Sequence, residues 1–132
     1  MELEVNIIRK ENDVVVLTLL GSITGTTCST LEEKINSVLA GSVRTLVLDM
    51  SGIKFMSSMG VGLINKAKIM LAQADAELAM INLQPQIKKV FEIMSLMPTL
   101  NVFENVEELD KYLNKIQHRI SEEGTSLSTD GF

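Results

Sequence analysis

The chain has 132 residues, of which 45% are hydrophobic and 22% charged, and its net charge is −5. This length can bury the core of one domain, and the composition excludes a disordered or fibrous protein. No apolar run approaches the roughly 20 residues that span a bilayer. The sequence contains no Lys/Arg cluster, so nucleic acid and anionic membrane surfaces are not expected as partners. The acidic N-terminus lacks a secretory signal and Cys28 has no disulfide partner, so we expect a cytoplasmic protein.

The first half of the chain alternates between strand and helix patterns. Period-two alternation from Leu3 to Ile7 predicts a half-buried strand, and Val14–Leu20 reads as a more deeply buried one. We expect the two to form a hairpin across Glu11–Asp13. Apolar residues at helical spacing then predict a helix that ends before Gly41. A strand is predicted over Val43–Asp49.

The second half continues the alternation. A loop over Met50–Met56 is predicted to lead into a second helix, which ends near Ala74. The remaining predicted elements are a strand over Glu77–Asn82, a helix from Pro85, a strand over Leu100–Glu104 and a last helix capped by Asn105. The order β-β-α-β-α-β-α-β-α predicts one α/β domain over residues 1–120, with a mixed β-sheet, an N-terminal hairpin and about four helices. Residues 121–132 are polar and aperiodic, and we expect a disordered tail.

Residues that could perform catalysis are scarce. The one histidine, His118, falls near the end of the last predicted helix, and Cys28 lies in register with the apolar residues of the first. One histidine and one cysteine cannot form the usual zinc site, and no glycine-rich phosphate motif is present. We therefore expect no catalytic residue, no metal and no cofactor.

The junction between the predicted loop and the second helix contains Ser57 and Ser58. With Ser57 as the N-cap, Ser58 falls in the first helical turn, where free amides and the helix dipole favour an anion. On a helical wheel Ser58 points away from the apolar stripe, together with Val61, Gly62, Asn65 and Ile69. This weakly charged face is suited to binding a protein. A phosphate on Ser58 would place about 1.5 to 2 negative charges in its middle. The alternative is that both serines are only helix caps.

Several motifs indicate a family. They are Gly21-Ser-Ile-Thr24, Leu46-Val-Leu-Asp49, Ser51-Gly-Ile-Lys-Phe-Met-Ser-Ser-Met-Gly-Val-Gly62, Asn82-Leu-Gln-Pro-Gln-Ile-Lys-Lys-Val-Phe91 and Phe103-Glu-Asn-Val-Glu-Glu-Leu109. In this order and spacing, the stretch from Leu3 to Ile116 resembles the STAS domain family, especially the bacterial anti-sigma factor antagonists.

The resemblance implies a function without catalysis. Such an antagonist binds an anti-sigma factor that is also a serine kinase, which frees the sigma factor. Phosphorylation at the start of the second helix then causes release, and a serine phosphatase resets the cycle. The family pattern places the phosphoacceptor at Ser58. The implied partner-binding residues are Thr24, Ser57 and Met59, beside the face of Val61, Gly62, Asn65 and Ile69. Thr24 and Ser57 stand where the family usually has acidic residues, and Met59 where it has a small one.

Two other functions remain open at this point. The chain could be a constitutive STAS subunit of a transporter or a stress-signalling complex, using the same face without a phosphorylation cycle. It could also be a sensor of a small ligand or nucleotide. The exposed face could equally serve a homodimer.

Overall fold

Five strands form one sheet in the order β1-β2-β3-β4-β5. The computed structural model describes residues 2–95 and 100–115. The strands are β1 (Leu3–Lys10), β2 (Val14–Ile23), β3 (Thr45–Met56), β4 (Glu77–Ile81) and β5 (Asn101–Phe103). β1 is antiparallel to β2, and β3, β4 and β5 each add in parallel to the preceding strand. The predicted mixed sheet with an N-terminal hairpin is confirmed.

Four helices connect or follow the strands within the described residues. They are α1 (Cys28–Leu39), α2 (Ser58–Gln73), α3 (Pro85–Ile93) and α4 (residues 106–115), and a 3-10 turn at Glu11–Asp13 closes the hairpin. As predicted, Pro85 is the first residue of α3, and Asn105 caps α4, since its Oδ1 accepts a hydrogen bond from the Glu108 amide at 3.0 Å. The end of the last predicted helix, which contains His118, and the tail at 121–132 lie outside the described residues.

The two faces of the sheet are covered differently. The main core contains β-strand side chains packed with α1, α2 and α3, including Leu31, Ile64 and Phe91. A smaller cluster on the other face joins Val47, Ala79 and Ile81 to Leu109 of α4. Right-handed crossovers between strands that add in one direction place their helices on one face of the sheet. The three crossover helices α1, α2 and α3 accordingly share a face, and α4, which follows the last strand, covers the other.

The predicted loop over Met50–Met56 is wrong, because β3 continues to Met56. β2 also runs on to Ile23, and the two strands remain paired through Ile23↔Met56 despite register shifts after Thr18 and Gly21. The shifts break the period-two alternation in both strands, which is why the sequence pattern did not indicate this extension. Gly52 permits the close approach, since a Cβ there would lie 2.5 Å from the Leu19 carbonyl oxygen.

The far end of β3 extends beyond β4, and two glutamines bond its open edge. Gln84 Nε2 donates to the Ser51 carbonyl at 2.7 Å, and Gln86 Nε2 donates to the Lys54 carbonyl at 3.4 Å. β3 is therefore held on both sides, by β2 and by the start of α3. It leads into α2 through the single residue Ser57.

Candidate functional site

Ser57 is the N-cap of α2, as the sequence predicts. Its φ/ψ of −84°/169° is extended, and its Oγ accepts a hydrogen bond from the Gly60 amide at 3.3 Å. Its own amide donates to the Ile23 carbonyl at 2.9 Å, and its carbonyl accepts the first intrahelical bond from the Val61 amide at 3.0 Å. Ser57 therefore joins the end of β2 to the first turn of α2.

We expect Ser57→Ala to lower the free energy of unfolding by about 1 kcal/mol, because the cap acceptor is lost. Ser57→Asp keeps an acceptor at the same position, and a carboxylate favours a helix N-terminus, so its stability should equal or exceed the wild type. Urea denaturation of the two variants makes the comparison. Equal losses in both variants would contradict a capping role for this side chain.

Ser58 is the first residue of α2 and is exposed. The Ser58 and Met59 amides precede the first intrahelical bond, which the Val61 amide donates. These first-turn amides and the positive end of the helix dipole create a local environment that favours an anion. An added phosphate would therefore meet solvent and donors rather than the core.

The partner-binding residues predicted beside Ser58 divide into exposed and buried ones. Met59 is 63% exposed and Ile69 50% exposed, Gly62 is exposed, and Asn65 is half-buried. Ile69 lies 11 residues after Ser58, so it points in nearly the same direction three turns further along the helix. We define the Ser58 face by its exposed or half-buried residues: Thr24, Ser57, Ser58, Met59, Gly62, Asn65 and Ile69.

The prediction that Val61 belongs to this face is wrong, because Val61 is fully buried in the main core. The wheel placed it only about 60° from Ser58, which predicted exposure. α2, however, packs against α1 as well as the sheet. Its buried side therefore extends from Leu63 to Val61 and covers about 160° of the helix circumference. Val61 therefore holds α2 in place and offers no surface to a partner.

Thr24 lies in the turn that precedes α1, next to the start of α2. Its Oγ1 accepts a hydrogen bond from the Thr26 amide at 3.2 Å, and its amide donates to Thr27 Oγ1 at 2.9 Å. Thr27 is 5% exposed and donates in turn to the Ser22 carbonyl at 2.7 Å. Met59 lies across this turn, since its Sδ would be 3.0 Å from a Cβ on Gly25. The Thr24 turn before α1 and the first helical turn of α2 therefore form one continuous surface.

The sequence did not indicate two exposed apolar side chains at the paired ends of β2 and β3. Leu20 is 52% exposed and Phe55 is 49% exposed, and both lie on the paired ends of β2 and β3. Phe55 precedes the cap residue by two positions. With β3 misassigned as a loop, no alternation marked Phe55 as outward-facing. Only the extension of the two strands identifies Phe55 as an outward-facing strand residue.

The local charge around α2 differs from that of the whole chain. From Met50 to Ala74 the sequence contains three lysines and no acidic residue, whereas the chain as a whole has a net charge of −5. One of these lysines, Lys66, bonds Glu32 of α1 at 2.6 Å. A phosphate on Ser58 would therefore introduce the first negative charge of this segment.

Other groups that could support chemistry are few within the described residues. No cluster of three or more His, Cys, Asp or Glu side chains there could hold a metal ion. Burial raises the pKa of the Cys28 thiol, and the nearby Glu32 carboxylate raises it further. Its thiolate is therefore scarce at neutral pH, which suits the predicted role of Cys28 as a packed side chain. His118 lies outside the described residues.

A groove of about 940 Å³ lies on the opposite face of the sheet, beside α4. Apolar side chains of the sheet and of α4 line it, among them Ile8, Val16, Val47 and Leu113. It includes no residue of the Ser58 face. None of the described helices is both long and apolar enough to cross a membrane.

Comparisons with known proteins agree with the fold. The family model described as STAS domain matches residues 6–109. The anti-sigma F factor antagonist of Lysinibacillus sphaericus is 29% identical over 87 residues, which cover 65% of this chain and 74% of that protein. A crystal structure of an anti-sigma factor antagonist from Mycobacterium paratuberculosis has a TM-score of 0.76 at 20% identity, covering 85% of this chain and 94% of that one. The phosphorylated form of the Bacillus cell fate determinant SpoIIAA has a TM-score of 0.65 at 24% identity, covering 83% and 99%.

Proposed function

Because the chain belongs to the STAS domain family, we propose that it is an anti-sigma factor antagonist whose binding is controlled at Ser58. It binds an anti-sigma factor that is also a serine kinase and thereby frees a sigma factor. Phosphorylation of Ser58 releases it, and a serine phosphatase restores the binding form. It acts in the cytoplasm and performs no catalysis itself.

The observation that carries this proposal is the position of Ser58 at the start of α2. Its side chain is exposed, and the cap hydrogen bond is made by its neighbour Ser57. A kinase can therefore reach the Ser58 hydroxyl without disrupting the helix start. The names of the relatives supply further support, since they include an anti-sigma F factor antagonist and a phosphorylated SpoIIAA.

The composition of the Ser58 face also suits a binding surface whose affinity a phosphate would lower. Met59 and Ile69 are exposed apolar side chains on this face. With no carboxylate from Met50 to Ala74, the unmodified surface can be desolvated against a partner at small electrostatic cost. A phosphate adds about 1.5 to 2 negative charges, which must be desolvated in the complex but remain hydrated in the free protein.

Mass spectrometry of the intact chain tests the assignment of the phosphoacceptor. The chain is incubated with Mg-ATP and the purified anti-sigma factor kinase encoded nearest to its own gene. We expect the wild type and Ser57→Asp each to gain the mass of one phosphate, and Ser58→Ala to gain none. Equal modification of Ser58→Ala would overturn the site.

Binding of that kinase to the wild type without any phosphate gain would instead support a constitutive STAS subunit. Ser57 and the exposed Met59 are the residues that favour this second function, because they replace the family's usual acidic and small residues around the acceptor. Restoring the family pattern with Ser57→Asp and Met59→Ala should then leave the chain unmodified as well.

A further inference from the structure

The outer edge of β1 is long and regular. Within the described residues β1 pairs with β2 alone, over eight consecutive residue pairs without a register shift. Edge strands are commonly protected by a bulge, a proline, short length or charged side chains, because an open edge can pair with another chain. β1 contains eight residues, no proline and no bulge. Its edge is therefore competent to accept a further strand.

The hydrogen-bonding groups on this edge can be identified from the hairpin. The Ser22 amide donates to the Glu2 carbonyl at 3.3 Å, so the backbone groups of Glu2 point towards β2. The direction of the backbone N–H and C=O groups alternates along an antiparallel strand. Those of even-numbered residues therefore bond β2, and those of odd-numbered residues point outward. The outward groups are those of Leu3, Val5, Ile7 and Arg9. The first three have apolar side chains that are half-buried at the margin of the main core.

We propose that this edge is a homodimer interface, in which β1 pairs antiparallel with β1 of a second copy to form a continuous ten-stranded sheet. A two-fold axis perpendicular to the sheet keeps each side chain on its own face of the sheet. Two residues that oppose one another point to the same face, so their numbers are both odd or both even, and the sum of the two numbers is even. This excludes any pairing of Glu4 with Arg9. Within β1, Glu4 and Lys10 are then the oppositely charged residues that can face one another.

Pairing Glu4 with Lys10 determines the register of the dimer. Their numbers sum to 14, so the two-fold axis passes through Ile7, and two Glu4–Lys10 pairs lie symmetrically on either side of it. Opposite charges directly across a strand pair are favourable, whereas like charges there are unfavourable. Both side chains are exposed in the free chain. The self-complementary charge pattern thus selects a second copy of this chain as the occupant of the edge.

Apolar side chains lie at the two-fold axis on both faces of the proposed sheet. Ile7, half-buried in the monomer, is opposite Ile7 of the second copy on the face covered by α1. On the other face Ile8 is 47% exposed and lies diagonal to Ile8 of the second copy. Burial of these β-branched side chains supplies an apolar contribution to the pairing. The interface contains no residue of the Ser58 face, so the dimer leaves Ser58 accessible.

Sedimentation velocity of the full chain over a dilution series tests the proposal. We expect the wild type to show a reversible monomer–dimer equilibrium. Glu4→Lys and Lys10→Glu each place like charges at both pairs, which should raise the dimer dissociation constant about tenfold. An equimolar mixture of the two variants should recover the wild-type dissociation constant. In the mixed dimer the introduced lysine faces the introduced glutamate at one pair, and the native Glu4 and Lys10 face one another at the other.

Matched controls carry the same charge changes away from the edge. Glu33→Lys on α1 and Lys89→Glu on α3 change side chains that lie on helices rather than on β1, and both variants should dimerise like the wild type. Circular dichroism verifies that all four variants are folded. A wild type that stays monomeric at every concentration would overturn the proposal, as would a mixture of Glu4→Lys and Lys10→Glu that fails to reassociate. Neither result would bear on the function proposed for Ser58.

Discussion

Ser58→Asp is expected to weaken binding of the anti-sigma factor by about 30-fold or more, which corresponds to about 2 kcal/mol. The carboxylate places a permanent negative charge on the Ser58 face, and its desolvation in the complex is unfavourable. Stability should be unchanged or higher by about 0.3 to 1 kcal/mol, because an acidic residue in the first turn interacts favourably with the helix dipole. Isothermal titration calorimetry against the purified anti-sigma factor measures the affinity, and urea denaturation measures the stability.

Ser58→Asn is the matched control for this result. Asparagine has nearly the same size and shape as aspartate but no charge, so it should retain most of the wild-type affinity. If Asn and Asp weaken binding equally, shape rather than charge at this position determines release. If Asp lowers the free energy of unfolding by more than about 1 kcal/mol, Ser58 has the structural role that we assign to Ser57.

Gly60→Ala is expected to lower the free energy of unfolding by about 2 kcal/mol or more. A Cβ at this position would lie 2.8 Å from the Ile23 carbonyl oxygen, 2.8 Å from Ile23 Cγ2 and 2.9 Å from Met56 Cγ. The Ile23 carbonyl cannot move away freely, because it accepts the hydrogen bond from the Ser57 amide. Overpacking of this kind typically costs about 1–3 kcal/mol, and here it would also strain the cap.

Gly62→Ala tests whether the loss in Gly60→Ala comes from crowding. Gly62 lies in the same helix two residues later, and a Cβ there meets nothing within 4 Å. Alanine has a higher helix propensity, so this variant should be more stable by about 0.5–1 kcal/mol. Urea denaturation of both variants provides the comparison. Destabilisation of equal size in the two would show that the start of α2 is not pressed against β2 and β3 as described.

Local patterns were sufficient to predict the element order and the first turn of α2. Helical spacing placed Ser58 on the exposed side of the helix, and its exposure is confirmed. The N-cap at Ser57 followed from residue type and position, because capping is a short-range hydrogen bond between residues three apart. Such features depend on a few neighbouring residues, so they can be read from the sequence without knowing what packs around them.

Patterns that depend on distant partners were predicted less well. The predicted strand ends at Asp49, whereas β3 continues to Met56. The continuation is stabilised by pairing with β2 and by Gln84 and Gln86, and it has no alternation of apolar and polar residues that would predict it. The exposure of Phe55 was missed for the same reason. The even and odd faces of β1 were visible in its alternation, but its position at the edge of the sheet was not, because strand order is decided by tertiary pairing.

The sequence by itself therefore determined the family, the element order and the distinct positions of Ser57 and Ser58, since these depend on local spacing and on motifs in order. The tertiary structure alone decided which neighbours of Ser58 remain accessible. Val61 lies within about 60° of Ser58 on the helix, yet it is buried, because α2 packs against neighbouring elements as well as the sheet. Accessibility is a property of the packed whole, and a single helix cannot specify it.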